Sequence, residues 1–219
     1  PKGILSTGKI NDLNNPNLRI AYTDGSPSSF LLDLTISDFD LDQLSTNDAW
    51  RQKVNSSEEA YAMAKKNRAD SSMLYVMWEP EVSKAVEDLG LEAVWGSDQF
   101  AGYIIDVFVF SREFISKKPE AAQRFLRSYF RVLDRYASNK DKMIKEMSKS
   151  TDLKKAVVEK MIKKIDWFTL QENCAKYFGI SVGVGDFADD RIISAIIACS
   201  DVMERVGTVK QAIRDPYRI

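Results

Sequence analysis

Leu18-Arg19-Ile20-Ala21-Tyr22, Asp24-Gly25-Ser26-Pro27-Ser28-Ser29 and Phe30-Leu31-Leu32-Asp33-Leu34 follow one another and decide the fold. An apolar-aromatic run, a cluster of turn formers and a second apolar run read as strand, tight turn and helix. Ser26 suits the N-cap, and Pro27 suits the first helical position, where no N–H partner is needed. The amides of Ser28, Ser29 and Phe30 are then expected to point outward at the positive end of a helix dipole, with three hydroxyls around them. Such a turn can hold a small anion or polar head group, and it is equally the ordinary start of a capped helix.

Further along, Ser56-Ser57-Glu58-Glu59 has the form of a capping box, with Ala60, Met63 and Ala64 as the helix stripe behind it. Residues 73–78, Met-Leu-Tyr-Val-Met-Trp, predict a fully buried strand. A helix over 80–88 follows and Gly90 ends it. Leu91 to Trp95 predicts a short strand, and Tyr103 to Phe110 a second buried one containing a single acid, Asp106. Strand and helix alternate from 18 to 110, which predicts an α/β layer with parallel strands. Residues 38–55 show no clear period.

After residue 110 helices dominate. The stretch 119–137 places Ala122, Phe125, Leu126, Tyr129, Leu133 and Tyr136 on one face, and 153–165 aligns Leu153, Val157, Met161 and Ile165. Thr169 caps a further helix, and a long one runs over 187–205. These apolar faces need something to pack on, most simply a second sheet that the chain supplies only in part.

Composition excludes several classes of function. The chain has 219 residues, 44% of them hydrophobic, enough for one large domain or two small ones with a real core. Lysine plus arginine (31) nearly equals aspartate plus glutamate (32), without the basic excess of a nucleic-acid binder. No apolar run approaches the ~20 residues of a membrane span. The sequence contains no histidine, which removes Ser-His-Asp and Cys-His nucleophiles, histidine bases and most zinc sites. Cys174 and Cys199 can form a disulfide or remain buried thiols, and their apolar surroundings favour thiols.

The candidate binding residues cluster at strand ends. Trp78-Glu79-Pro80 follows a strand directly, where ligands bind in open α/β sheets; Glu79 either caps the next helix or faces a cleft beside Trp78. Asp106, a carboxylate in an expected buried strand, needs a partner, whether a structural cation or a ligand. Gly102 and Tyr103 sit in the loop before it. Arg124, Arg127, Arg131 and Arg135 form a stripe off the apolar face, read as solvated. Gly183-Val184-Gly185-Asp186 lacks the strand and lysine of a phosphate loop and reads as a turn. No cofactor is indicated.

Three blocks carry a family resemblance: Leu18 to Leu34 with its Asp24-Gly25-Ser26-Pro27-Ser28 turn; Met77-Trp78-Glu79-Pro80-Glu81-Val82-Ser83-Lys84-Ala85; and Tyr103-Ile104-Ile105-Asp106-Val107 running into Ser111-Arg112-Glu113-Phe114 and on to Ala121. In order and spacing these resemble the periplasmic solute-binding proteins of ABC importers, nearest the nitrate, sulfonate and taurine branch with its thiamine-precursor relatives. The resemblance spans roughly residues 17–175. It implies a type-2 periplasmic binding fold of two α/β lobes and a hinge, no catalysis, and a small polar ligand with an anionic group held by cleft closure. It further implies a membrane permease as partner and an extracytoplasmic, periplasmic address.

On that basis the ligand contacts are expected at Tyr22, Gly25, Ser26, Ser28, Ser29, Trp78, Glu79, Gly102, Tyr103 and Asp106. Residues 1–16 would be a leader or linker, 17–103 lobe two, and 104–219 the returning strand and helical part of lobe one. Family members carry a long stretch before the first block. A missing N-terminal segment, cut away or supplied by a partner, would therefore complete lobe one. A sensory or envelope-scaffold module on the same fold is the alternative. An enzyme on that fold would need a histidine, cysteine or covalent-cofactor site that is hard to find here.

Overall fold

The structure, a computed structural model, describes residues 10–46, 48–70, 72–100, 102–180 and 191–215. The Gly183–Asp186 turn and residues 187–190 lie outside them. The chain divides into two units, residues 1–104 with 195–219, and residues 105–194. The C-terminal stretch thus groups with the first unit.

The first unit is a mixed α/β layer. Strand β1 (Arg19–Thr23) leads into helix α1 (Pro27–Asp38), a single turn α2 (Asp42–Ser45), strand β2 (Arg51–Val54), helix α3 (Ser57–Lys66), strand β3 (Met73–Val76) and helix α4 (Glu81–Leu89). The strands form one parallel sheet in the order β2-β1-β3, with Tyr22 opposite Lys53 on one side and Val76 on the other. From β1 the chain moves to one neighbour; from β2 it passes over β1 to the other edge. With right-handed crossovers, α1 and α3 cover opposite faces.

Side-chain alternation on β1 fits this arrangement. Ile20 and Tyr22 pack with Leu32 and Ile36 of α1 and with Leu41, Leu44 and Trp50. Ala21, on the other face, is fully buried, as are Ala60 and Ala64 of α3. Small side chains on both elements let that helix lie close on the sheet. Helix α1 has a second apolar side, where Leu34 meets Phe100 and Val202, with Phe39, Trp95 and Tyr103 around them. It is therefore buried on two sides, which explains its run of Leu and Ile without a clear polar face. Val202 belongs to α10 (Arg191–Arg205), which begins in the second unit and ends in the first.

Three strand expectations change. Strand β3 is half-buried rather than fully buried, because it is an edge strand with a neighbour on one side only. Residues 91–95 are not a strand; Trp95 instead packs edge-on against Phe39 and Phe100, with ring centroids at 5.0 and 5.8 Å. Residues 103–110 are not a strand either, and Val107, Phe108 and Val109 are exposed. Their β-forming composition is real, but among the described residues no strand lies beside them to pair with. Strand β2 has no counterpart among the expected elements.

The second unit holds α5 (Arg112–Lys117), α6 (Pro119–Ala137), α7 (Lys140–Thr151), α8 (Lys155–Lys163) and α9 (Leu170–Glu172). Helix α6 has the expected bounds, but on its apolar face only Ala122 and Leu133 are buried, and Phe125 is nearly half exposed. Val157 and Val158 anchor α8. Thr169 and Glu172 make the expected reciprocal cap. Arg124, Arg127, Arg131 and Arg135 are all exposed, as a solvated stripe should be. Both cysteines are free, half-buried thiols. Among the described residues no helix is long and apolar enough to cross a membrane.

Candidate functional site at the carboxyl edge of the sheet

At the carboxyl ends of the three strands, three turns lead into α1, α3 and α4. The loop after β1 feeds α1 on one face, and the loops after β2 and β3 feed α3 and α4 on the other. Adjacent strands β1 and β3 thus send their chains to opposite faces, and the crevice outside that switch is where open α/β sheets bind ligands. Gly25, Ser26 and Ser29 stand on one side of it, Trp78 and Glu79 on the other.

The turn after β1 is tightly self-bonded. Gly25 takes φ +60°, a left-handed conformation in which a side chain would be strained. Ser26 Oγ donates to Thr23 O at 2.6 Å and accepts from Ser28 N at 3.1 Å. Ser29 Oγ donates to Ser26 O and accepts from Ser26 N, completing a capping box with Ser26. The Phe30 amide bonds Ser26 O at 3.1 Å. This corrects the expected anion cradle: the amides of Ser28, Ser29 and Phe30 are taken up inside the cap, and Ser28 itself is buried. The Ser26 and Ser29 hydroxyls make a helix start that satisfies itself. The charged group exposed at this turn is Asp24, whose Oδ2 accepts from Lys53 Nζ at 2.9 Å, each side chain being more than half exposed. The hydrogen bond and charge of Asp24 raise the Lys53 pKa.

On the β3 side, Trp78 is 40% exposed. Its amide donates to Ser57 Oγ at 3.1 Å, tying the loop to the first turn of α3. Ser56 caps α3 by accepting from Glu59 N; Glu59 reaches back to Asn55 rather than to Ser56, so the expected box closes one residue earlier. Pro80, not Glu79, is the N-cap of α4, but Glu79 Oε2 accepts from Ser83 N at 3.0 Å and so holds the first turn from the position before the cap. The Glu79–Pro80 bond is cis. Gly90 closes α4 with φ +65°.

Tyr22 is placed inside the core, 1% exposed, with its hydroxyl accepting from Arg51 NH1 at 3.1 Å. Tyr103 packs edge-on against Phe100, and its carbonyl accepts from the Cys199 thiol. Burial pushes that thiol's pKa up. Gly102 is exposed with φ +89°. Asp106 belongs to the second unit and is exposed rather than buried in a strand, so the partner expected of a buried carboxylate is not required.

Two groups at this edge were not visible in the sequence. Thr23 ends the central strand, is 7% exposed, and its buried Oγ1 has no hydrogen-bond partner among the described residues. Glu81, at the start of α4, is 3% exposed; Oε1 pairs with Lys84 at 3.1 Å, whereas the buried Oε2 has no partner among the described residues. Buried polar atoms are almost always bonded; Tyr75 Oη and Trp95 Nε1 share this state with Thr23 and Glu81.

Behind the edge lies a second polar cluster. Arg51 donates to Asp33 Oδ1 at 3.0 Å, Asp48 Oδ1 at 2.8 Å and Tyr22 Oη, and its guanidinium lies 4.4 Å from the Trp50 ring. Burial, helped by the charges of Asp24 and Asp48, raises the Asp33 pKa despite the bond and charge of Arg51, which lower it. For Arg51, burial works against the charge, but the bonds to Tyr22 and Asp33 outweigh it and hold the guanidinium charged. The two partners differ: pairing outweighs burial for Arg51, whereas for Asp33 it does not offset burial together with the nearby charges of Asp24 and Asp48. This cluster ties α1 to β2.

Elsewhere, a shallow recess of the second unit is lined by Lys142, Lys145, Lys149 and Lys155 with Asp141 and Glu146. Long solvated lysines around an open recess make a charged surface rather than a built site. Among the described residues, no three His, Cys, Asp or Glu side chains gather as a metal would need. No protein-family model, no curated protein and no solved structure matches this chain.

Proposed function

We propose that this chain is the ligand-binding component of an ABC-type importer, of the kind that captures nitrate, sulfonates or taurine, and that it binds without turnover. The observation that carries the reading is the unpartnered Thr23 hydroxyl at the end of the central strand, beside the switch between β1 and β3. Gly25 and the Ser26 turn flank it on one side, and the exposed Trp78 ring on the other. With the α1 amides spent in the cap, an anionic group would be met by Lys53 and by the positive ends of α1 and α3. Asp24 would take donor groups of the same ligand. The lack of histidine throughout the sequence favours binding over acid–base chemistry. The type-2 periplasmic binding fold, capture by closure around the ligand, a membrane permease as partner and an extracytoplasmic address are parts of the same proposal.

The test is calorimetry of the purified protein with nitrate, taurine and methanesulfonate, beside native mass spectrometry for a co-purified small molecule. Saturable binding of one of them, with the compound recovered unchanged, supports the reading. Chemical conversion of a bound compound, or no small-molecule binding by either method, overturns it.

A further inference from the structure

Thr23 and Glu81 meet on one face of the sheet. Side chains alternate along β1, so Thr23 points to the same side as Ala21, the side that α3 covers. In register Thr23 stands opposite Val54, the last residue of β2, and one step beyond the pairing of Tyr22 with Val76, the last residue of β3. The chains leaving those two outer strands are joined across the end of β1 by Ser57, which is fully buried. Its Oγ accepts from the Trp78 amide at 3.1 Å and donates to Trp78 O at 3.4 Å. Trp78 O also accepts from the Glu81 amide at 3.1 Å. One bonded path thus runs from α3 to the start of α4 over the end of the central strand. Thr23 Oγ1 and Glu81 Oε2 are the oxygens along it that have no partner among the described residues.

The other two atoms in that state lie elsewhere. Trp95 belongs to the aromatic cluster on α1. Tyr75 shares a face with Ala21, but its hydroxyl reaches toward Asn67, Asp70 and Arg19 at the amino end of the sheet. Both residues are half-buried, whereas Thr23 and Glu81 are more than nine-tenths buried.

The charge at the carboxyl edge is acidic. Over 23–30, 53–60 and 76–84, the segments from each strand end into the next helix, Asp24, Glu58, Glu59, Glu79 and Glu81 stand against Lys53 and Lys84. Both lysines are already paired, with Asp24 and with Glu81 Oε1. A ligand that brings only negative charge meets an excess of acid, and one that brings a positive group is met by it. A protonated primary amine suits the two oxygens: it carries three donors on a compact head, enough for a carboxylate oxygen and a hydroxyl together. The exposed Trp78 ring offers a face to the same group.

Resting on the ligand-binding function proposed above, we propose that the bound compound carries a primary ammonium group received by Glu81 Oε2 and Thr23 Oγ1, so that the site selects amine-bearing ligands over plain anions. Both oxygens are covered in this state, and the amine enters as the Trp78 loop opens. Binding then gives the half-bonded Glu81 carboxylate the partner that the fold withholds.

Calorimetry of the whole protein with taurine and with ethanesulfonate, the near-identical anion without the amine, tests this. Taurine should bind at least about tenfold more tightly, the worth of one hydrogen bond to a charged group. Glu81→Gln, checked for unchanged helix content by circular dichroism, should bring the two affinities together. Should that variant fail to fold, Thr23→Val should narrow the gap instead. Ethanesulfonate bound as tightly as taurine by the wild type, or a gap that survives in Glu81→Gln, overturns the inference and leaves the binding function standing. Binding of neither compound, with nitrate and methanesulfonate also silent, overturns both.

Discussion

Replacing Thr23 by valine separates stability from ligand capture. Valine keeps the β-branched shape and removes only the hydroxyl, whose Oγ1 is buried without a partner. An unsatisfied buried hydroxyl costs about 1–3 kcal/mol. The backbone carbonyl of Thr23, which holds the Ser26 cap, is untouched. Thr23→Val should therefore stabilise the protein by about 1–2 kcal/mol. In a chain of this size that raises the melting temperature by roughly 2–8 °C. The same change should weaken the ligand by about 0.5–1.5 kcal/mol, roughly two- to twelvefold in affinity, since one hydrogen bond is lost. Thermal unfolding followed by tryptophan fluorescence reads the first effect, with Trp50, Trp78 and Trp95 all in the sheet-bearing unit. Calorimetry with whichever of nitrate, taurine or methanesulfonate binds reads the second. A lower melting temperature with unchanged affinity would refute the reasoning, because it would mean that the hydroxyl is bonded within the fold.

Ser26→Ala should destabilise by about 2 kcal/mol, from loss of an N-cap and of the bond to Thr23 O, measurable by urea denaturation. An unchanged midpoint would show that the cap is not formed. Arg51→Met leaves Asp33 buried and should cost about 3 kcal/mol, near the low end for a broken buried pair because both groups keep some exposure; adding Asp33→Asn should recover part of it, and full additivity of the two losses would contradict the pairing. Asp33→Asn alone changes the pH profile. The native state raises the Asp33 pKa, so the neutral acid's stabilising contribution is present below its ordinary value and is lost as pH rises through the folded one. The melting temperature of wild type minus that of Asp33→Asn should fall as pH rises from below the ordinary carboxylate range to neutrality, and a rise over that range would show the sign to be wrong.

The strand–turn–helix at 19–38 was legible because each local signal agreed with its neighbours: apolar alternation, a glycine at positive φ, a serine cap and a proline at the first helical position. Helix α6 was legible for the same reason, through a long apolar stripe at helical spacing. Strand β2 was not, since Arg-Gln-Lys-Val carries little apolar signal and is held by backbone pairing to β1, with Trp50 buried just before it. Residues 103–110 were misread in the opposite sense: their composition favours a strand, but a strand also needs a neighbour, which composition does not encode. The site divided along similar lines. The Asp24–Ser29 turn and Trp78 were placed correctly at strand ends, whereas the occupancy of the turn's amides depended on side-chain geometry. Thr23 falls between the apolar run and the turn cluster, and its type carries no signal of a buried hydroxyl left unbonded among the described residues.

The most direct test is a two-dimensional 1H–15N titration of the whole protein with nitrate, taurine and methanesulfonate. Binding at the carboxyl edge predicts saturable shifts of the Thr23, Gly25 and Trp78 amides and of the Trp78 indole, with one common dissociation constant. Shifts confined to the lysine-lined recess of α7 and α8, or none at any of these positions, would contradict it.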